Sequence, residues 1–465
     1  MSEAVADAKP AAGAPAERSG VAYSYYVLVL LTMVYTFNFI DRQIIGIISP
    51  LIKQDLGLTD GQLGALKGIL FAILYTFLGI PIARFADRAN RVTIISVSLA
   101  LWSGFTTLSG FAQNFTQLAL ARIGVGIGEA GGTPPSHSVI SDYFDKERRP
   151  VAMAIYAMGI PIGIALGYFA FAWLLAALQT GEVQDPSVWR TAMIIVGIPG
   201  VILAILLKLT VREPERGAAD GPRQAVAEEK ASGGVLATVW SETIQIFKAG
   251  TKLWSIPTYA GMGAGITLAS FGAYAIGGWI VDFFTRTHPE MPMTTVLIWL
   301  GVINAIAYSL GTYLGGAVTE RLAKKNKSMY GLVPAIALLV NAPCFLAAMW
   351  APTPELSLIF WFPAHMTIGF YLGPTFAVAQ TLAPLRLRAL STAILFFVLN
   401  LIALGIGPSF VGFLSEGLTG AMGEERALRV ALSSVIGTSL LGVAAFFWAS
   451  RQVERDWAKA EAENA

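Results

Sequence analysis

The segment VLVLLTMVYTFNFIDRQIIGIISPLI, residues 27–52, is apolar over 26 residues apart from one adjacent acid and base, Asp41 and Arg42. About 20 apolar residues are enough to span the hydrocarbon core of a bilayer as an α-helix. A charge inside such a helix is costly, so it is usually paired or faces an aqueous pathway. This segment therefore predicts a membrane-spanning helix with functional charges.

The same pattern recurs along the 465-residue chain, in which 55% of the residues are hydrophobic and 13% are charged. Soluble domains contain about 25% charged residues, so this composition is typical of an integral membrane protein. Stretches long enough to span a bilayer predict twelve helices. They cover residues 23–49, 62–83, 92–111, 115–140, 151–178, 190–211, 253–284, 293–320, 330–350, 355–383, 389–414 and 427–450.

A polar stretch at residues 212–250 is predicted to be a cytoplasmic linker between two halves of six helices each, 21–211 and 251–451. Residues 1–20 are predicted to be a disordered cytoplasmic tail, and 452–465 a second tail. With the termini on one side, 24 Lys and Arg residues lie in or near the loops of that side and six in or near those of the other, whereas Arg42 and Arg122 lie deep within spans. The positive-inside rule then places both termini in the cytoplasm and the protein in the cell membrane.

Several function classes are excluded by the sequence. The net charge is only +2, so no nucleic-acid partner is expected. The single Cys344 excludes an internal disulfide and a cysteine-rich metal site. No Walker loop, GxSxG or HExxH motif is present, and the GxGxxG match at 126–131 lies inside an apolar helix rather than after a strand. We therefore expect neither an enzyme nor a cofactor.

The loop GIPIARFADRANRV, residues 79–92, resembles the signature G-x-x-x-D-[RK]-x-G-R-[RK] of the major facilitator superfamily, and GGAVTERLAKK, residues 315–325, repeats part of it in the second half. The resemblance implies an all-α fold of inverted repeats, with helices 1, 4, 7 and 10 around a central cavity. It also implies a conformational gate at the matching residues, although a loop that only sets topology would explain the arginines. These residues are Asp87, Arg88, Arg91, Glu320 and Arg321.

Two further stretches are similar to the spinster branch of that superfamily: NFIDRQIIG, residues 38–46, and RIGVGIGEAGGTPPSHSVISDYF, residues 122–144. The resemblance implies proton-coupled transport of an amphiphilic anionic lipid, such as a lysophospholipid or sphingosine phosphate. We also expect the protein to function as a monomer in the bilayer. The alternative is the same fold with a small organic anion or a drug as substrate.

The intramembrane charges predict where the chemistry occurs. Arg122 and Glu129 are seven residues apart, which places them on the same helix face with a rise of about 10.5 Å between them. Asp41 should reach a depth close to that of Arg122. We expect Glu129, or else Asp41, to carry the proton, with Arg122 as the partner of Glu129. Arg122, Arg42 and Asn38 are then the expected substrate ligands, and a static Asp41–Arg122 pair is the alternative.

The second half is expected to supply an apolar wall, because the intramembrane arginines and the strong acid candidates lie in the first half. His365, in the tenth predicted helix, is interpreted as a hydrogen-bonded packing residue rather than as a titrating group. An amphiphilic substrate would then have its headgroup against the first half and its apolar chain against the second.

Overall fold

The computed structural model describes residues 20–86, 88–178, 185–217, 244, 248, 250–384 and 387–464, and every regular element within them is helical. Most of the predicted linker, residues 212–250, and all but the last residue of the first tail, residues 1–20, fall outside this part of the chain. The helices of the first half are α1 (Val21–Leu56), α2 (Asp60–Ala86), α3 (Arg91–Ser109), α4 (Phe115–Glu129 and Thr133–Tyr143), α5 (Arg149–Leu178) and α6 (Val188–Thr210).

The second half repeats this arrangement and adds one helix. Its members are α7 (Pro257–Thr287), α8 (Met293–Ala323), α9 (Met329–Met349), α10 (Pro354–Leu382), α11 (388–422), α12 (424–450) and α13 (Val453–Asn464). Ten described segments are apolar and long enough to span a membrane, and one of them, Leu390–Ser450, contains both α11 and α12. The remaining spanning helix is α4, which is broken after Glu129. The prediction of twelve spanning helices is thus confirmed.

Local sequence sets where helices begin and end. α1 ends at Gly57, whose left-handed φ of 61° a glycine adopts without strain. α2 begins two residues later with a capping box between Thr59 and Gln62. This short connection makes α1 and α2 antiparallel. The predicted second tail is not extended: α13 packs against α7, where Asp456 accepts hydrogen bonds from the backbone N–H and hydroxyl of Thr258.

α2 is broken at Gly68, where it meets α11. The Ile69 N–H, released by the break, donates to the hydroxyl of Ser409 at 3.1 Å, and the same hydroxyl lies 3.1 Å from the Gly64 carbonyl oxygen. A Cβ atom on Gly68 would lie 2.4 Å from the carbonyl oxygen of Gly405. Ser409 of the second half therefore accepts a hydrogen bond from the backbone N–H that the break in α2 leaves without an intrahelical partner. Only glycine, which has no Cβ atom, allows the backbones of α2 and α11 to lie this close together.

The two halves meet along α1–α7, α2–α11 and α5–α8. We call the face with the start of α1 and the end of α12 the terminal face, and the face with the α1–α2 and α7–α8 loops the opposite face. Near the opposite face the helices approach closely: a Cβ on Gly46 would lie 3.2 Å from the Gly278 carbonyl, and one on Gly64 would lie 2.9 Å from that of Pro408. Small residues therefore allow tight closure on this side of the molecule.

Candidate substrate and proton site

Four charged side chains from α1 and α4 form two buried ion pairs at the centre of the first half. Arg42 Nε lies 2.7 Å from Glu129 Oε2, and Arg122 Nη1 lies 3.5 Å from Asp41 Oδ1. The Asp41, Arg122 and Glu129 side chains are at most 4% exposed, and Arg42 is 11% exposed. Buried charges of this kind are stable only while they are paired, so any change at one member alters the environment of the others.

The direct partner of Glu129 is Arg42, rather than Arg122 as the sequence interpretation proposed. Seven helical residues separate Arg122 from Glu129 by about 10.5 Å along α4, which is too far for a direct contact. Side chains on a helix point toward its N-terminus, so Arg42 on α1 extends toward the terminal face. It thereby reaches Glu129, which lies nearer to that face than Arg122 does. The expectation that Asp41 and Arg122 share a depth agrees with their contact.

These pairs leave hydrogen-bonding capacity unused. Asp41 accepts a hydrogen bond from the Thr106 hydroxyl on α3. At this site, four buried polar atoms have no hydrogen-bond partner among the described residues. They are Asn38 Oδ1, Asp41 Oδ1, Arg122 Nε and Glu129 Oε1. Buried polar atoms without partners are rare in stable cores and are often associated with function. The site can therefore accept a proton on a carboxylate or a polar ligand group.

Aromatic rings surround the Arg42 guanidinium group. Its central carbon lies 4.4 Å from the ring centroid of Tyr75, 5.3 Å from Phe39 and 5.4 Å from Phe71. The Phe71 ring is also 5.3 Å from the guanidinium carbon of Arg122, so one ring contacts both arginines. Cation–π contacts stabilise a guanidinium group without occupying its hydrogen-bond donors. Arg42 therefore retains donors for an anion.

A second set of ion pairs joins the two halves near the opposite face. Asp60 of α2 receives two hydrogen bonds of 2.8 Å from Arg286 of α7 and one of 2.9 Å from Lys53 of α1. Lys53 also contacts Glu424 of α12 at 2.7 Å, and Ser415 of α11 donates to Asp60 at 2.7 Å. We call Lys53, Asp60, Arg286 and Glu424 the opposite-face cluster. It ties the halves together on that side.

Beneath this cluster lies a more deeply buried pair that the sequence interpretation missed. Lys67 Nζ of α2 is 2.7 Å from Asp282 Oδ2 of α7, and both side chains are at most 2% exposed. The same carboxylate accepts a hydrogen bond from Ser49, and Lys67 Nζ lies 3.5 Å from the ring centroid of Trp279. The signal was present in the sequence, since one lysine and one aspartate fall within otherwise apolar predicted spans.

The second half also contains polar groups where an apolar wall was expected. Asn304 Nδ2 of α8 lies 3.2 Å from His365 Nε2 of α10. Asn304 is the first residue of a π-helical turn that ends at Tyr308, and such turns often mark functional sites. His365 thus has a hydrogen-bond partner, as the interpretation as a packing residue required, but its second nitrogen has none among the described residues.

Comparison with known proteins identifies the family. A model described as Major Facilitator Superfamily matches residues 31–292, more than half of the chain. The chain belongs to the major facilitator superfamily. It is therefore a member of a family of multi-pass membrane transporters, not of enzymes, and the twelve-helix fold is the one that the loop signatures implied.

Within the superfamily the chain is similar to spinster proteins. It is 30% identical to a bacterial homologue of the human lysosomal transporter spinster, which was crystallised in an inward-facing, unoccupied conformation. The two structures match with a TM-score of 0.81, over 94% of this chain and 99% of the homologue. Among curated proteins, it is 29% identical to an MFS-type efflux pump of Mycolicibacterium smegmatis over 95% of this chain and 96% of the relative. It is 25% identical to mouse protein spinster homolog 1, over 94% and 83% of the two chains.

The signature loop of this superfamily member is only partly described. Asp87 lies outside the described residues, and Arg88 is exposed at the terminal face. Arg91 is buried at the start of α3 and contacts Asp142 of α4 at 2.5 Å and Glu213, just after α6, at 2.6 Å. Arg91 therefore connects the start of α3 with the end of α4 and with the segment that follows α6.

The corresponding residues of the second half are solvent-exposed. Glu320 contacts Lys324 one turn away at 3.7 Å, with 74% of each side chain exposed, and Arg321 is also exposed. The gate function of these loops remains a prediction.

Proposed function

We propose that this protein is a proton-coupled transporter that moves an amphiphilic anion, such as a lysophospholipid or sphingosine phosphate, by alternating access. The observation that carries the proposal is the Arg42–Glu129 pair, in which a buried carboxylate and an arginine with unused donors are 2.7 Å apart. A guanidinium group binds two oxygens of a phosphate at once. The anion and the Glu129 carboxylate would thus compete for the same arginine.

The coupling follows from this competition. When an anionic headgroup engages Arg42, with Arg122 and Asn38 as further ligands, Glu129 loses its counter-charge in a site without bulk water. Binding of a proton to Glu129 then removes the uncompensated charge. Departure of the anion restores the Arg42–Glu129 pair and releases the proton. Asp41 is held by Arg122 and Thr106, and it is the second candidate proton carrier.

Alternating access has a structural counterpart in the contacts between the halves. The opposite-face cluster and the Lys67–Asp282 pair close one side. The Lys and Arg bias assigns both termini to the cytoplasm, so the closed side would face outward. The similar spinster homologue was crystallised in an inward-facing conformation, which supports this assignment. The halves 21–211 and 251–451 would move as the two units, with the residues of the signature loops as the gate on the terminal face.

The test uses purified protein in liposomes that contain a pH-sensitive dye. We expect addition of a short-chain lysophospholipid or sphingosine phosphate to cause proton flux in wild type and at least a tenfold smaller flux in Glu129→Gln. Glu355→Gln is the matched control, because Glu355 is an exposed carboxylate at the start of α10 and its replacement should leave the flux unchanged. Normal flux in Glu129→Gln would exclude Glu129 as the proton carrier.

A second candidate function keeps the proton coupling and replaces the lipid with a small organic anion or a drug. The observation that favours it is the similarity to the mycobacterial protein described as an efflux pump. The same liposomes distinguish the two substrates: flux with small anions or drugs, and none with any lipid, would support this candidate and refute the lipid proposal.

A further inference from the structure

A small cavity lies between the two halves, on the side of α1 that faces the second half. Its volume is about 30 Å³, and its wall comes from α1, α5, α7, α8 and α10. The polar wall residues are Gln43, Tyr168, Asn304 and His365, and the described residues that line it include no carboxylate, lysine or arginine. One water-sized group needs about 10–15 Å³. The cavity therefore has room for two to three water-sized groups, and its uncharged lining suits a neutral group.

The polar pair in this wall offers both a donor and an acceptor. Asn304 Nδ2 is a donor only, so His365 Nε2 accepts from it at 3.2 Å and the ring proton lies on Nδ1. Asn304 Oδ1 and His365 Nδ1 have no hydrogen-bond partner within the described part of the chain, and Asn304 is only 5% exposed. The two ring nitrogens of His365 point in different directions, so one ligand group cannot contact both of these atoms. The buried acceptor Asn304 Oδ1, on the side chain that His365 holds through Nδ2, is matched by a neutral donor, and a lipid hydroxyl is such a group.

The cavity lies next to the Arg42–Glu129 site, because adjacent residues of α1 contribute to each. Gln43 follows Arg42 on α1, so the two side chains point about 100° apart on the same helix turn. Arg42 faces Glu129 within the first half, whereas Gln43 lines the cavity together with α8 and α10. A molecule bound at Arg42 can therefore present its next polar group to Asn304 and His365. The Trp361 and Leu300 side chains in the wall make the cavity unfavourable for a charged group.

We propose that Asn304 and His365 form a hydroxyl-recognition subsite in the second half, which selects phosphorylated amphiphiles with a free hydroxyl close to the phosphate. This inference rests on the proposed function, because it assumes that the phosphate binds at Arg42. The π-helical turn that begins at Asn304 supports it, since the extra residue in that turn changes the direction in which the side chain projects.

The experiment compares two lipids that differ in one atom: 1-oleoylglycerol 3-phosphate, with its free hydroxyl, and the analogue in which hydrogen replaces that hydroxyl. Affinity is measured by titration of the full-length protein in nanodiscs, and proton flux is measured in liposomes. The deoxy lipid leaves the buried acceptor without a partner, which costs more than the loss of an exposed hydrogen bond, so wild type should bind the hydroxylated lipid about tenfold more tightly. Asn304→Leu and, separately, His365→Phe should bring this ratio close to one while the affinity for the deoxy lipid is kept.

Ile368→Val is the matched control, because Ile368 lines the same cavity without a polar group and its ratio should stay near ten. Two polar variants are compared so that a folding defect in one, seen by size-exclusion chromatography, does not decide the result. Equal affinity of wild type for the two lipids, or no binding of either, would overturn the subsite. A tenfold ratio in binding without any proton flux would support the subsite and refute the proposed proton coupling instead.

Discussion

Removal of one member of the Lys67–Asp282 pair should open the opposite face. The two side chains come from different halves and are at most 2% exposed, so they stay buried only while α2 and α7 remain together. In Asp282→Asn the Lys67 charge loses its direct partner and keeps the Trp279 ring, 3.5 Å away. The other charges that act on it, Asp60 and Arg286, are already paired with each other. When the halves separate on this side, the lysine reaches water and the penalty disappears.

The magnitude follows from this difference between the two states. Leaving one member of a buried ion pair unpaired costs about 3–5 kcal/mol, and the cost falls on the closed state alone. Because about 1.4 kcal/mol corresponds to a factor of ten, the open-to-closed ratio should rise by roughly two to three and a half powers of ten. The double variant Lys67→Met with Asp282→Leu removes both charges of this pair and leaves neither member unpaired, so most of the closed population should return.

The assay is a distance measurement between spin labels on protein in nanodiscs. Cys344 is the only native cysteine, so Cys344→Ala gives a background for labels at Gln54 and Glu290, exposed positions at the opposite face. A second pair at Glu147 and Lys325 reports on the terminal face. Asp282→Asn should lengthen the first distance and shorten the second. Unchanged distributions in both pairs would show that the buried pair does not hold the halves together.

Two further predictions concern other contacts. Gly68→Ala should also favour the open opposite face in the spin-label measurement, because its Cβ would lie 2.4 Å from a carbonyl oxygen of α11. Gly79→Ala is the control and should have no effect, because no atom lies within 4 Å of the Cβ position at Gly79. Burial tends to raise the pKa of Asp456, but hydrogen bonds from Thr258 and the charge of Arg455 hold it below its ordinary value. A carboxyl with a depressed pKa stabilises the folded state above its unfolded pKa and loses that contribution as the pH falls through the folded one. Acidification below about pH 4 should therefore release α13, measured as faster amide exchange of residues 453–464, and Asp456→Asn should reduce this pH dependence.

The sequence was sufficient for the helices and for the types of charged residue at the centre. Membrane spans could be predicted because every backbone group in lipid must be paired within a helix, which makes a long apolar run almost unambiguous. The loop signatures gave the superfamily, and the contact between Asp41 and Arg122 followed from counting residues along two antiparallel helices. These properties depend on local composition and on the fixed rise of a helix.

Only the tertiary structure decided which residue pairs with Glu129 and where the halves touch. Glu129 pairs with Arg42 because of the direction in which an arginine leaves α1, which residue spacing along α4 cannot show. Lys67 and Asp282 are 215 residues apart in the chain, and Asn304 and His365 come from helices whose relative position depends on the packing of the whole second half. Short-range patterns determine the elements of this protein, whereas its polar sites require contacts between distant segments, whose geometry is set by how the two halves pack.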